Sequence, residues 1–398
     1  LNLAYGLDNS SFKEKIKLIF LKGFLLDKVR FDRNELAGAF GDLGTFIPLI
    51  TALAIINNFN LKTIFLEFGI LYIYSGLTFG IPIPIQPMKA IAAIMIAEKP
   101  PLIQLFGAEI LIGAFFIILS LTNAIELLNK VVPESVVRGI QIGLGFKLML
   151  LTFNYFGKGF LIDFITSIAG ILIALLLWNN RKIPSALLIL ALGINLPFLT
   201  GKASFNSLFK IGLMLPKPAI PSSIELMNGS LLALSQIPLT IGNAIMATSL
   251  LAKDLFPERR VPSIQKLSLS TGIMNLLAVF LGGIPVCHGS GGLAAHYRFG
   301  ARTGGAMIII GFILLALSIL HEQVLYQLLH SIPFSILGVF LFFAGLQLTM
   351  VVKKVLNKNE LLIALLIAIL SISFRYGYLI GLVVGTALSY AVKKWKCF

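Results

Sequence analysis

Apolar runs separated by short polar breaks follow one another along the whole chain. From break to break they cover about residues 36–56, 63–80, 84–98, 102–128, 135–153, 161–178 and 184–200, where a loop rich in Pro, Lys and Ser intervenes. Seven more follow, at about 230–252, 264–283, 285–298, 304–320, 333–351, 360–374 and 377–392. Runs of this composition predict membrane helices. The expected class is therefore an all-α polytopic membrane protein with about 14 transmembrane segments. Residues 1–34 differ: they alternate charge and apolarity, as in Phe12-Lys13-Glu14-Lys15-Ile16, and lack the unbroken apolar core of a cleaved signal. They predict a cytoplasmic amphipathic helix on the membrane surface.

An odd number of segments in each half makes the second half enter the membrane in the opposite orientation, which predicts 7+7 inverted repeats. The first repeat is expected over 35–200, a connecting loop over 201–229 and the second repeat over 230–398. Traces of duplication remain. Pro133, Ser135, Gly145 and Leu148 recur as Pro333, Ser335, Gly345 and Leu348 at an offset of 200, and Ile83-Pro84 recurs as Ile284-Pro285 at an offset of 201.

Segments 3 and 10 are too short to span. Ile81 to Pro87 carries prolines at 82, 84 and 87 and cannot be helical, so a helix is expected to begin only at about Pro87. From there to Glu98 is roughly 18 Å of helix, against a hydrocarbon core of about 30 Å. Gly282 to Gly292, Gly-Gly-Ile-Pro-Val-Cys-His-Gly-Ser-Gly-Gly, gives segment 10 the same extended lead-in and short helix. Two inverted half-helices would bring their N-termini together near mid-membrane, where unpaired N–H groups and partial positive charge attract an anion.

Composition narrows the class further. Of 398 residues 57% are hydrophobic and only 12% charged, and the mean hydropathy is +0.94, which excludes a soluble enzyme or a secreted disulfide scaffold. The net charge of +15 is mostly topological. With the N-terminus in the cytoplasm, 22 Lys and Arg fall on the inner side, 7 on the outer side and 3 (Lys89, Arg138, Lys147) within segments, as the positive-inside rule requires for both ends cytoplasmic. No basic stretch is interleaved with aromatics, so no nucleic-acid partner is expected. Cys287 and Cys397 predict neither a disulfide nor a metal site, and no metal or cofactor is expected.

Polar residues inside membrane segments are the candidates for chemistry. Asp42 and Thr45 lie at a break in segment 1, and Asp42 is read as a proton carrier or as the ion-pair partner of Lys89 or Arg138. Gln86 and Lys89 flank the start of half-helix 3. Gln236, Thr240 and Asn243, spaced by four and three, share one face of segment 8. His288, Gly289 and Ser290 open half-helix 10, with His288 a hydrogen-bond donor or second proton carrier. Arg138, Gln141 and Lys147 lie on segment 5. Glu67 and Glu109 are single carboxylates without an assigned role. No nucleotide loop or hydrolase motif occurs, so the protein is expected not to be an enzyme.

Several stretches resemble the molybdate transporter family, related to the sulfate permeases: Glu35 to Pro48, Pro84-Ile-Gln-Pro-Met-Lys-Ala-Ile-Ala92, Gln236 to Asn243, and Pro285-Val-Cys-His-Gly-Ser-Gly-Gly-Leu-Ala294 with Tyr297 to Gly305. The resemblance implies a core of segments 1–4 and 8–11, a gate of segments 5–7 and 12–14, and a substrate between segments 3 and 10. Sulfate permeases often add a cytoplasmic regulatory domain. The sequence runs six residues past residue 392, so none is expected.

The expected function is secondary transport of a tetrahedral oxyanion, molybdate first and sulfate second, by alternating access in the plasma (inner) membrane. The expected partners are that oxyanion, the lipid bilayer and a second copy of the chain. A nucleobase carrier would be expected to place a carboxylate on segment 8, and residues 230–252 have none. An anion channel is the remaining alternative.

Overall fold

The computed structural model describes residues 29–125, 133–155, 161–177, 180, 185–199, 212, 220–321, 325, 332–355, 357–374 and 377–395. Most of the expected surface helix over 1–34, most of the connecting loop and Cys397 lie outside the described residues. Cys287 is buried and in no disulfide.

The first apolar run is two helices, α1 (Arg33–Ala39) and α2 (Leu43–Asn57), parted at Phe40–Asp42. The chain continues through α3 (Leu61–Phe79), a two-residue strand β1 (Gln86–Pro87), α4 (Lys89–Glu98), α5 (Leu102–Thr122), α6 (Glu134–Thr152), α7 (Leu161–Leu176) and α8 (Ser185–Leu199). The second half runs α9 (Ser223–Leu239), a π-helical stretch Thr240–Met246, α10 (Ala247–Leu255), α11 (Ile264–Leu281), β2 (Val286–Cys287), α12 (Ser290–Arg298) and α13 (Gly305–Ser318). It ends with α14 (Phe334–Thr349), a 3-10 turn Met350–Lys354, α15 (Lys358–Ser373) and α16 (Gly377–Trp395). Among the described residues six helical runs are long and apolar enough to cross a membrane: 33–57, 102–122, 134–152, 223–255, 264–281 and 334–353. The helices α4 and α12, of 10 and 9 residues, reach only about 15 Å.

The duplication is visible in the packing. Pro133 and Pro333 are the N-caps of α6 and α14, with nearly the same backbone angles. Gly145 and Gly345 meet face to face: a Cβ on either would stand 2.6 or 2.5 Å from the other's carbonyl oxygen. Only small residues let two membrane helices approach this closely. At the centre, β1 pairs antiparallel with β2 in the register Gln86↔Cys287 and Pro87↔Val286. Gln86 thus faces its own repeat equivalent at the offset of 201.

Two boundaries differ from the sequence expectation. Pro87 lies in β1, and α4 starts two residues later at Lys89, because the Met88 N–H donates to the Pro285 carbonyl and keeps the chain extended. Segment 8 starts at Ser223 rather than 230, since Ser222 and Glu225 form a reciprocal capping box. That box is readable in Ser222-Ser-Ile-Glu225.

The longer signature segments are partners in the scaffold. The buried Glu35 carboxylate accepts the N–H groups of Arg302, Thr303 and Ala306. The Arg302 guanidinium stacks 3.7 Å over the Tyr297 ring.

Candidate functional site

The pairing of β1 with β2 sets the N-termini of α4 and α12 side by side, and their backbone donors differ. In α12 the first intrahelical bond runs from the Leu293 N–H to the Gly289 carbonyl. The N–H groups of Ser290, Gly291 and Gly292 therefore have no acceptor within the helix, and Gly289 has no side chain to cap them. In α4 the first such bond is from Ala92 to Met88, but the Gln236 side chain accepts the Ala90 N–H at 2.9 Å. One short helix is thus partly capped by a neighbour and the other is open.

A cavity of about 400 Å³ opens in front of these termini. Its walls carry Asp42 and Thr45 from the break before α2, Lys89 from α4, Asn243 from the π-helical stretch and Ser290 and Gly291 from α12. Gln141 of α6 and Gln347 of α14 also line it, as do Leu177, Asn180, Ser185 and Arg298. A Cβ at Gly44 or Gly291 would meet nothing within 4 Å, so at both positions the backbone itself faces open space. The Ser290 hydroxyl is 3.4 Å from Asn243 Oδ1, and the Thr45 hydroxyl is 3.4 Å from Gln347 Oε1. Both are long for an O–H···O bond, and the Thr45 side chain also bonds the Asp42 carboxylate.

Of the residues singled out in the sequence, Asp42, Thr45, Lys89, Gln141, Asn243 and Ser290 reach this cavity, and Gln86, Gly289, Gln236, Thr240, His288, Arg138, Lys147, Glu67 and Glu109 do not. Gln86 is buried behind it and donates to Asp42 Oδ2 at 2.5 Å. Gly289 is buried, and an added Cβ would collide with the Gln86 carboxamide, so this glycine admits Gln86 rather than a ligand. Gln236 spends its carbonyl on Ala90 and its NH₂ on Thr240 Oγ1, 2.9 Å away, and Thr240 is fully buried. The π-helical stretch is the reason that Asn243 parts from these two: its wider turn shifts the phase that regular helical spacing assumes.

His288 is also inside the scaffold. The Pro84 carbonyl can only accept, so Nδ1 donates to it at 3.0 Å, and Nε2 accepts from the Ser270 hydroxyl at 3.0 Å. Neither ring nitrogen is left for a ligand. Arg138 binds Glu134 at 2.8 Å and Gln141 at 3.0 Å. It lines a separate crevice of about 450 Å³ with Pro238, Met246 and Lys253. Asp42 has no ion pair to Lys89 or Arg138 within 4.0 Å; the two ion pairs among the described residues are Arg138–Glu134 and Lys147–Glu98. Lys89 and His296 are nevertheless its electrostatic neighbours.

Gln347, Arg298 and Gly291 escaped the sequence reading. Gln347 had a signal, as the one amide in the apolar run 333–351. Gly291 and Arg298 had none of their own.

A family profile described as "Molybdate transporter of MFS superfamily" matches residues 34–148 and 229–348. The chain belongs to this family of molybdate transporters. Molybdate transporter 2 of Arabidopsis thaliana is 33% identical over 396 residues, covering 85% of this chain and 83% of the relative. In structure the protein is similar to the transmembrane domain of a cyanobacterium bicarbonate transporter, BicA, with a TM-score of 0.66 at 18% identity over 90% of this chain and 98% of that one. It is also similar to SLC26A9, with a TM-score of 0.73 at 15% identity over 98% of this chain and 70% of that one. The protein therefore has the seven-plus-seven inverted-repeat fold of an integral, multi-pass membrane transporter, and it is not an enzyme.

Proposed function

We propose that the protein is a secondary transporter that carries molybdate by alternating access, holding the anion between the N-termini of α4 and α12. The observation that carries this reading is the cavity itself. Open N–H groups of α12, the Lys89 ammonium, and the Ser290, Thr45 and Asn243 side chains all converge on one space. Helix N-termini and neutral donors suit a dianion whose charge is spread over four oxygens. Sulfate shares that charge and shape and is the second substrate.

The cavity reaches the end of α7 and the start of α8, beside the end of α12 at Arg298. The Lys and Arg bias assigns that side to the cytoplasm of the plasma membrane, so the state is inward-facing. At the other end of α4, Glu98 Oε1 meets Lys147 Nζ of α6 at 2.5 Å. This pair joins the core (segments 1–4 and 8–11) to the gate (segments 5–7 and 12–14) and closes the outer path. Gln141 and Gln347 are the gate's contribution to the anion, and a second copy of the chain would associate in the bilayer through the gate.

The deciding experiment is uptake of radiolabelled molybdate into liposomes that contain only this protein, competed with sulfate. Saturable uptake with molybdate preferred supports the reading. Large single-channel currents or uracil uptake would replace it with a channel or a nucleobase carrier.

A further inference from the structure

Two carboxyl groups lie away from the cavity. Glu67 of α3 and Glu109 of α5 are both fully buried, each about 10 Å from the start of its helix. The far end of α3 packs against Gly304, six residues past Arg298, so the two groups sit towards the opposite membrane face. Glu67 Oε2 accepts the Ile284 N–H at 2.9 Å. Among the described residues Glu67 Oε1 and both oxygens of Glu109 have no hydrogen-bond partner, and the two carboxyls are electrostatic neighbours.

Among the described residues no cation pairs with either carboxyl; Lys62, buried at the start of α3, donates to the Gly212 carbonyl. The helices α2 and α13, packed near α3, carry no ionisable side chain. On α11, Lys266 is at the far end and donates to the Thr78 carbonyl. On α9, Glu225 is held in its capping box, and Tyr72 of α3 faces Asp42. Three carboxyl oxygens without a donor, buried in a membrane protein, are the uncompensated group that folded proteins avoid. A hydrogen on one of them removes the problem: one carboxyl becomes neutral, and one negative charge remains, held on Glu67 by the Ile284 N–H.

We propose that Glu67 and Glu109 together form a proton-binding site, separate from the anion cavity, that couples proton movement to the position of α12. This rests on the transport reading above. Binding forms one O–H bond on a carboxylate with a proton taken from water on one side, and release returns it to the other. The mechanical link is short. A Cβ on Gly283 would stand 2.0 Å from Glu67 Oε2, so the carboxyl grips backbone six residues before Ser290. A change in its charge alters that grip and with it the donors presented to the anion.

The test uses the full chain in liposomes with an entrapped pH dye. An inward proton gradient should drive uphill molybdate accumulation and acidify the lumen. Glu67→Gln and Glu109→Gln should each keep molybdate exchange at equal pH while losing about tenfold or more of the gradient-driven accumulation. Infrared difference spectra give an independent readout: a buried protonated-carboxyl C=O band that shifts on adding molybdate and disappears in Glu109→Gln. Coupling retained in both variants, accumulation driven by sodium instead, or a missing or unresponsive band overturns the proposal. If a glutamine variant does not reach the membrane, the wild-type band decides in the same way. Failure of the wild-type protein to exchange molybdate would defeat the transport reading instead, and the carboxyl band would still report on the proton site.

Discussion

The short helices α4 and α12 are repeat equivalents, yet they offer different chemistry to the same cavity. Each follows an extended lead-in, and their strands pair through equivalent positions, Gln86 with Cys287. The first has a proline-rich approach, an N–H group capped by Gln236, and a lysine at its first position. The second has a glycine-rich approach, no cap, and a serine followed by two glycines. Duplication supplied the inverted geometry, and divergence divided the work: α4 contributes a charge, while α12 contributes bare backbone donors that can approach a ligand closely.

Changes at α12 should be the most damaging. Gly292→Val would drive its Cβ to 2.7 Å from Asp42 Oδ2 and Gln86 Nε2, and Ser290→Leu or Asn243→Leu would put an apolar group among the donors. About 100-fold loss of uptake is expected for each, from overpacking in the first case and a lost charge-assisted bond in the others. Normal uptake in Ser290→Leu or Asn243→Leu, with folded protein in the membrane, would remove those residues from the site. Lys89→Met should come next, with KM for molybdate raised about tenfold and a flatter dependence on salt. A fall in kcat at constant KM would mean that this lysine does not hold the anion.

Gln236→Leu tests whether capping keeps α4 in place. Loss of a cap is worth about 1 kcal/mol, so a lower thermal midpoint and about fivefold weaker molybdate binding are expected, measured by unfolding in detergent and by titration. The smallest effect concerns the outer closure. Glu98→Gln or Lys147→Met should lower the rate at which Gln347→Cys is labelled from the cytoplasmic side by about two- to fivefold, the range for a partly exposed ion pair. The charge swap Glu98→Lys with Lys147→Glu should restore it.

How far the site could be read from the chain differs from residue to residue. Lys89 and Ser290 were legible because proline and glycine mark where their helices must start. Gln86, Gln236, Thr240 and His288 were picked for polarity, which a buried scaffold also needs. Each satisfies a neighbour's backbone or side chain, and only coordinates distinguish that use from ligand binding. Arg138 is a different case: its partner Glu134 lies one turn away on the same helix, and such an i, i+4 pair is local to one helix.

What the sequence determined by itself is whatever depends on local composition and period: the fourteen apolar runs, the two broken segments and the duplication behind them. Hydrocarbon thickness and proline geometry act on each stretch regardless of its neighbours. The tertiary structure alone decided which polar groups face the cavity and which bond to one another, because that depends on the pairing of β1 with β2, on the phase shift of the π-helical stretch and on contacts between residues hundreds of positions apart. It also left three oxygens of Glu67 and Glu109 without a partner, a fact that no reading of either helix alone contains.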